Sequence, residues 1–411
     1  MDSEVLRIGV LVIILSIYAK MFIMKTPQHD SILQGSDYYQ EIMRTESDRR
    51  FFEVARMPIE TFIRFQDLLC TEGGLVPSRH ICTGEKIMMF MHSLTGTTIA
   101  SQAERWQHSK STCSVSNKAV RKAILKCRKK LYVVPREGDP LHPMLQETKF
   151  APFRDAIGAL DGSHIPAHCD PVYHDVMRNR KQYLSQNVMG VCNFDMLFQY
   201  GMYGWEGSAH DSRVFNNSLD RGLPYIVGKY FLGDAGYALN KWCLTPYRGT
   251  RYHLRQWISG NAQPQNREEL FNLRHAQLRN VIERIFGVAK NAFPVLECMP
   301  LYPTVATQAE IVECCFLVLN FRRLNMMYED TNAFMEFNAD GDRHYYIVPE
   351  DEADRDPGND NAPVNRNTTG ELNAWRDGIA EELWNDYMIE LANRGIAHNM
   401  QPQGPARPPI P

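Results

Sequence analysis

The chain has 411 residues, 44% of them hydrophobic and 23% charged, which excludes fibrous, collagen-like, wholly disordered and polytopic membrane classes. At about 150 residues per domain, the length predicts two to three domains. A formal net charge of -3 excludes a uniformly basic nucleic-acid binder and leaves room for charged segments that cancel.

Residues 1–30 carry an apolar run, Ile8 to Ala19, bounded by Arg7 and Lys20. It is too short to span about 30 Å of hydrocarbon, so it predicts a buried helix of an N-terminal domain and no stable membrane association. A signal anchor is the alternative, because a snorkelling Lys20 would let Met21 to Met24 lengthen the segment. The cysteines, scattered without a Cys-x-x-Cys pair, predict free thiols in a reducing compartment.

Residues 31–136 read as a helical domain. Phe51, Phe52, Val54, Met57, Ile59, Phe62, Ile63, Phe65 and Leu68 recur at helical steps, with Pro58 suited to a helix start. A second periodic run covers Ile87 to Leu94. Next come a helix around Ile99 to Trp106, a polar turn from Gln107 to Ser111, and a helix carrying Val115, Ala119, Val120 and Ile124. Two helices joined by a short turn, the second polar outside, predict a helix-turn-helix. Charge sharpens this reading: residues 101–136 hold ten Lys or Arg against one acid, a net of +9. Lys118, Arg121, Lys122 and Lys126 are the candidate phosphate contacts, and a merely solvated helical face is the alternative.

Pro135 to Pro143 reads as a linker, and the periodicity then changes across residues 137–328. Ala156 to Leu160 is a short apolar run ending in Asp161. Asn187 to Phe194 and Leu197 to Tyr203 are strand-like around a turn, and Tyr225 to Leu232 is a further strand before Gly233 and Asp234. Helical pattern resumes over Arg267 to Ala289 and Gln308 to Leu324. Paired strands followed by strands alternating with helices predict an α/β fold with a mixed sheet. Residues 329–370 form an acidic segment, net -8 over 329–356, read as a largely disordered linker. Within 371–395, Trp375, Ile379, Leu383, Trp384, Tyr387, Met388 and Leu391 share one face of an amphipathic helix. This helix either folds back on the core or docks a partner, and residues 396–411 read as a disordered tail.

Three acids carry the chemistry. Asp161 and Asp234 are read as ending strands, where ligands of open α/β sheets gather, and Glu283 lies among Val281, Ile282, Ile285 and Phe286 of a helix able to pack beside them. Three converging carboxylates make a hard oxygen site suited to magnesium or manganese. Two such ions can serve both sides of a phosphodiester. The spacing of His164, His168 and His174 resembles a metal set, yet no cysteine pair completes a zinc pattern. Local structure or substrate contact is the expectation for these three. In SAHDSRVF, His210 and Asp211 are auxiliary candidates; Asp211 either supports the metal site or contacts DNA, or caps a helix through Val214. Arg178, Arg180, Lys181, Arg248, Arg251, Arg255 and Lys290 are further candidate phosphate contacts.

The runs AIGALDGSHIPAH, RNRKQYLSQNVMGVCNFDMLFQYGMYGWEGSAHDSRVF, FLGDAGYALNKWCLTPYRG and LFNLRHAQLRNVIERIFG resemble the Harbinger-type DDE transposases and Harbinger transposase-derived nucleases, fungal members in particular. The resemblance covers residues 150–325 well and 45–135 more weakly. It implies a ribonuclease H-like catalytic fold and places the family's DDE triad on Asp161, Asp234 and Glu283. It also implies DNA as substrate, a Myb-like partner protein and a nuclear location, with a homo-oligomer as a further expectation. Family members continue past Phe-Gly into a turn resembling L-K-x-R-F, whereas this chain has Ala289 and Ala292 at the leucine and arginine positions and keeps Lys290. The triad is complete, and strand transfer is the step on which that loss of a cation bears. The expected activity is therefore metal-dependent DNA cleavage. The alternative is a domesticated, non-catalytic DNA-binding or adaptor protein that retains the fold.

Overall fold

The computed structural model describes residues 3–23, 28–251, 263–326, 366–393 and 410. Of the expectations above, the acidic stretch over 329–365, Arg255 and nearly all of the tail lie outside the described residues.

The helical region runs through α1 (Ser3–Tyr18), α2 (Gly35–Met43), α3 (Asp48–Ala55), α4 (Ile59–Thr71), α5 (Thr83–Ser93), α6 (Ile99–Trp106) and α7 (Lys110–Lys126). Ser47, Thr98 and Ser109 cap α3, α6 and α7 by accepting a backbone N–H from the first turn, which satisfies donors the helix cannot pair itself. Gln107, in the left-handed region at φ 51°, ends α6 and turns the chain into α7, which begins three residues later. Ile87 to Met91 of α5 are fully enclosed by its neighbours.

The expectation of a buried N-terminal helix fails. Every side chain from Glu4 to Tyr18 is exposed, with Val5, Leu11, Ile13 and Leu15 each more than half accessible. The apolar residues occupy all sides of α1, not one stripe, so no single face could dock it into a core. No helix of the described residues is long and apolar enough to cross a membrane.

Among the described residues the sheet has five strands, β1 (Ala156–Pro166), β2 (Ser185–Cys192), β3 (Phe198–Glu206), β4 (Tyr230–Leu232) and β5 (Cys243–Leu244), in the order β3-β2-β1-β4-β5. β1 pairs antiparallel with β2 and parallel with β4; β2 and β3 are antiparallel, β4 and β5 parallel. The sheet is therefore mixed, as predicted. One detail differs: Asp161 does not end β1. Gly162 to Pro166 continue the strand because each pairs with β2, from Gly162 opposite Met189 to Pro166 opposite Ser185. Their composition reads as a turn, but the ladder overrides propensity.

Helix α8 (Asp211–Asp220) packs on β2 and β3, and α9 (Arg267–Ala292) on β1 and β2. Helix α10 (Val305–Asn325) joins the two regions. Its residues from Cys314 to Leu319 are all buried, Phe316 stacks on Phe198 of β3 at 3.9 Å, and Phe321 meets Phe65 of α4 at 4.9 Å. One continuous apolar core thus runs from the helical region to one face of the sheet. The C-terminal helix α11 (Arg366–Asn393) begins before residue 371 and folds back on that core. Trp375 is fully buried edge-on to Tyr230 at 5.0 Å, while Tyr247 donates to Asp377 at 2.6 Å and Arg267 to Glu381 at 2.9 Å. All ten cysteines are free.

Candidate active site

The parallel ladder between β1 and β4 ends at the pair Ala159 and Leu232. Asp161 and Asp234 each follow that last β1–β4 rung by two residues, so both stand at the crevice where these two strands part. Asp161 is 4% and Asp234 3% exposed. Each is braced locally: Asp161 accepts the Gly162 N–H at 2.9 Å, and Asp234 accepts the Gly236 N–H at 2.9 Å.

Glu283 is delivered by α9, whose Leu278, Val281, Ile282 and Ile285 are buried against the sheet. One turn earlier on the same helix, Arg279 links the acids. Its Nη1 donates to Asp161 Oδ2 at 2.8 Å and its Nη2 donates to Glu283 Oε1. The Arg279 side chain is 3% exposed, against 5% for Asp161 and 25% for Glu283.

A fourth carboxylate joins from the first turn of α8. Asp211 accepts from Asn187 Nδ2 at 2.9 Å. A Cβ on Gly162 would lie 2.6 Å from Asp211 Oδ1, so only glycine after Asp161 admits this approach. A Cβ on Gly236 would meet Asp234 Oδ1 at 3.1 Å and Asp211 Oδ2 at 3.7 Å, which places these two acids side by side. The His210 side chain, at the N-cap of α8, is exposed and forms no cap bond. Tyr237 is 1% exposed, and its hydroxyl finds no hydrogen-bond partner among the described residues. Burial first, then the charges of Asp211, Asp161 and Asp234, push that hydroxyl well above the ordinary tyrosine range.

His164, three residues along β1, approaches Ser185 Oγ at 3.1 Å. Burial first, then Lys290, Arg180 and Lys181, push its imidazole down to about 4. The adjacent Arg180 and Lys181 and the sequence-distant Lys290 thus all bear on one histidine, which stays neutral near pH 7. Arg248 donates to the Ala235 carbonyl at 3.0 Å, beside Asp234. Arg178 is exposed and closes its own loop onto the Gln182 carbonyl at 2.6 Å. His168 bridges to Gln308 and the Met299 carbonyl, a structural tie, and His174 opens a single helical turn.

On α7, Lys110, Lys118, Lys122 and Lys126 are exposed along one ridge at spacings of four or eight residues. Arg121 does not join them. It is 8% exposed and donates to Glu310 of α10 at 2.6 Å, so its charge is held inside the molecule and not presented to a phosphate.

The residue types and positions of the acids were readable in sequence, whereas Arg279, Tyr237 and Asn187 were not singled out. The signal for Arg279 was a cation four residues before Glu283, the spacing at which side chains of a helix meet. Among the described residues no group of three or more His, Cys, Asp or Glu side chains is arranged to hold a metal ion; the guanidinium of Arg279 stands between Asp161 and Glu283.

Residues 160–320 match a family described as DDE superfamily endonuclease, and residues 30–126 match a domain of unknown function. Protein ALP1-like from Arabidopsis thaliana is 25% identical over 190 residues, covering 42% of this chain and 44% of that protein. The chain thus spans under half the length of that relative. No solved structure matches.

Proposed function

From the match of residues 160–320 to the DDE superfamily endonucleases, we propose that the chain cleaves DNA phosphodiester bonds in a metal-dependent reaction at a centre made by Asp161, Asp234 and Glu283. One observation carries this reading. Asp161 and Asp234 flank the crevice beyond the last β1–β4 rung, and α9 ties Glu283 to the same point. The strand order, with antiparallel pairs on one side of β1 and parallel pairs on the other, supports a ribonuclease H-like assignment.

The donor chemistry fits a hard divalent cation. The oxygens belong to carboxylates of separate elements, with Asp211 beside Asp234, and the buried Tyr237 hydroxyl, without a hydrogen-bond partner among the described residues, feels the charge of three aspartates. Asp161, Asp234 and Glu283 are the side chains that would hold magnesium or manganese, two ions in this reading. When bound, the ions supply electrophilic stabilisation of the phosphate and make a water or a 3′ hydroxyl easier to deprotonate.

The remaining work falls to the chain itself. Asn187 and the bare Gly162 fix Asp211 against the strand. Arg180, Lys181 and Lys290 offer positive charge to a scissile or neighbouring phosphate, and neutral His164 takes no charge of its own into that cluster. The lysine ridge of α7, following the short turn at Gln107, is the proposed helix-turn-helix contact to the DNA backbone. DNA is accordingly the proposed partner, the nucleus the proposed site of action, and a Myb-like protein and a second copy of the chain are further proposed partners.

The test is nicking of supercoiled and terminal-repeat DNA with magnesium or manganese by the wild type, Asp161→Asn, Asp234→Asn and Glu283→Gln. Loss of nicking in all three variants with DNA binding retained is the expected result. Equal nicking by all four proteins overturns the assignment.

A further inference from the structure

We infer that Arg279 is a resident counter-cation that locks the carboxylate centre in its metal-free form, and that it must release at least one carboxylate before a divalent cation is held there. The inference rests on the metal-dependent reading above and concerns a residue outside the triad.

The argument begins with burial. A guanidinium does not deprotonate in proteins, so Arg279 carries its full charge at 2% exposure. Such a charge is costly unless acids oppose it, and two of its donors serve acids from two different elements, β1 and α9. The same oxygens are those the proposed cations need. A guanidinium and a divalent ion cannot both contact them without like charges meeting at close range in a poorly solvated site. The two cations therefore compete. The pair opens from the Glu283 end, because Glu283 is 25% exposed while Asp161 is 5% exposed. Arg279 and Glu283 share one helix four residues apart, so release requires side-chain rotation and no movement of the backbone.

Occupation of the centre by Arg279 reduces the fraction of molecules ready to take metal, and apparent affinity falls by that fraction. Removing the guanidinium has two opposed consequences. It leaves buried carboxylates unneutralised in the metal-free protein, and it frees their oxygens for a cation.

The experiment titrates Mn2+ alone, without DNA, into the full-length wild type, Arg279→Gln, Arg279→Lys and Asp161→Asn, by calorimetry and by thermal unfolding. Arg279→Gln is expected to unfold at a lower temperature without metal, to bind Mn2+ about tenfold tighter than the wild type, and to gain more in unfolding temperature on Mn2+ addition. Arg279→Lys keeps a buried charge but cannot bridge both acids as a planar fork does. It is expected to fall between the two, and it carries the test if Arg279→Gln does not fold without metal. Affinity in both Arg279 variants equal to or weaker than wild type, with binding lost in Asp161→Asn, overturns the lock and leaves the metal reading intact. Absence of Mn2+ binding in the wild type and in both Arg279 variants overturns the lock together with the metal reading beneath it.

Discussion

Charge is used in opposite ways at the carboxylate centre and on the α7 ridge. At the centre, Asp161, Asp234 and Arg279 are each under 5% exposed, and each has a named partner. On the ridge, Lys118, Lys122 and Lys126 stand in solvent. A buried charge costs several kcal/mol unless opposed, so the centre is over-determined and any single loss propagates. An exposed lysine costs almost nothing to the fold, so it remains available to a polyanion and is separable from stability. Arg121 marks the boundary between the regimes, because it comes from the basic segment yet is buried against Glu310.

The sharpest way to break this comparison is Asp161→Ala, which strips Arg279 of its best-buried acid. We expect a loss of about 3–5 kcal/mol by urea unfolding; a loss below about 1 kcal/mol would place the centre in the solvated regime. Arg121→Ala comes next. Glu310 is 44% exposed and can rehydrate, so the expected cost is about 1–3 kcal/mol, with the salt dependence of DNA binding unchanged. A changed salt slope would return Arg121 to the DNA face.

A smaller effect is expected from acid. Burial pushes His275 down to about 3 and His164 to about 4, from an ordinary value of 6.5. Below pH 6.5 the unfolded chain takes up protons that the native imidazoles refuse, so their effect is to lower stability as pH falls from 6.5 towards 4. His275→Gln should flatten that decline in unfolding experiments at stepped pH, and an unchanged slope would contradict the burial argument. The smallest effect on the fold belongs to the combined Lys118→Ala, Lys122→Ala and Lys126→Ala. Each is expected to shift stability by no more than about 0.5 kcal/mol. DNA binding is expected to weaken across sequences, with the log-log salt slope falling by about 1 per lost phosphate contact.

Much of the centre was readable in sequence because its acids occur in runs with strong local character: an apolar strand before Asp161, another before Asp234, a periodic helix around Glu283. The mixed sheet was readable for the same reason. What escaped depends on partners far away in the chain. Nothing local says that Gly162 to Pro166 extends a strand, because the stabilising ladder is supplied by β2. Arg121 looks like its lysine neighbours until α10 brings Glu310 across it, and Val115, one of the apolar residues that mark this helix, is 68% exposed while Val120 and Ile124 are buried. The α1 run reads as core because apolar residues usually are buried, but among the described residues no other element covers its faces. The C-terminal helix was readable as amphipathic, while the choice between core and partner rested on Tyr230, Tyr247 and Arg267 being in reach.

The central claim is that Asp161, Asp234 and Glu283 form one divalent-cation centre now held closed by Arg279. The measurement that tests it most directly is anomalous diffraction at the manganese edge from crystals of the full-length protein soaked in Mn2+. The account predicts density about 2.1 Å from oxygens of Asp161 and Asp234, with the Arg279 guanidinium turned off at least one of its acids. Manganese density elsewhere, or Arg279 unmoved and the carboxylates without density at saturating Mn2+, would contradict it.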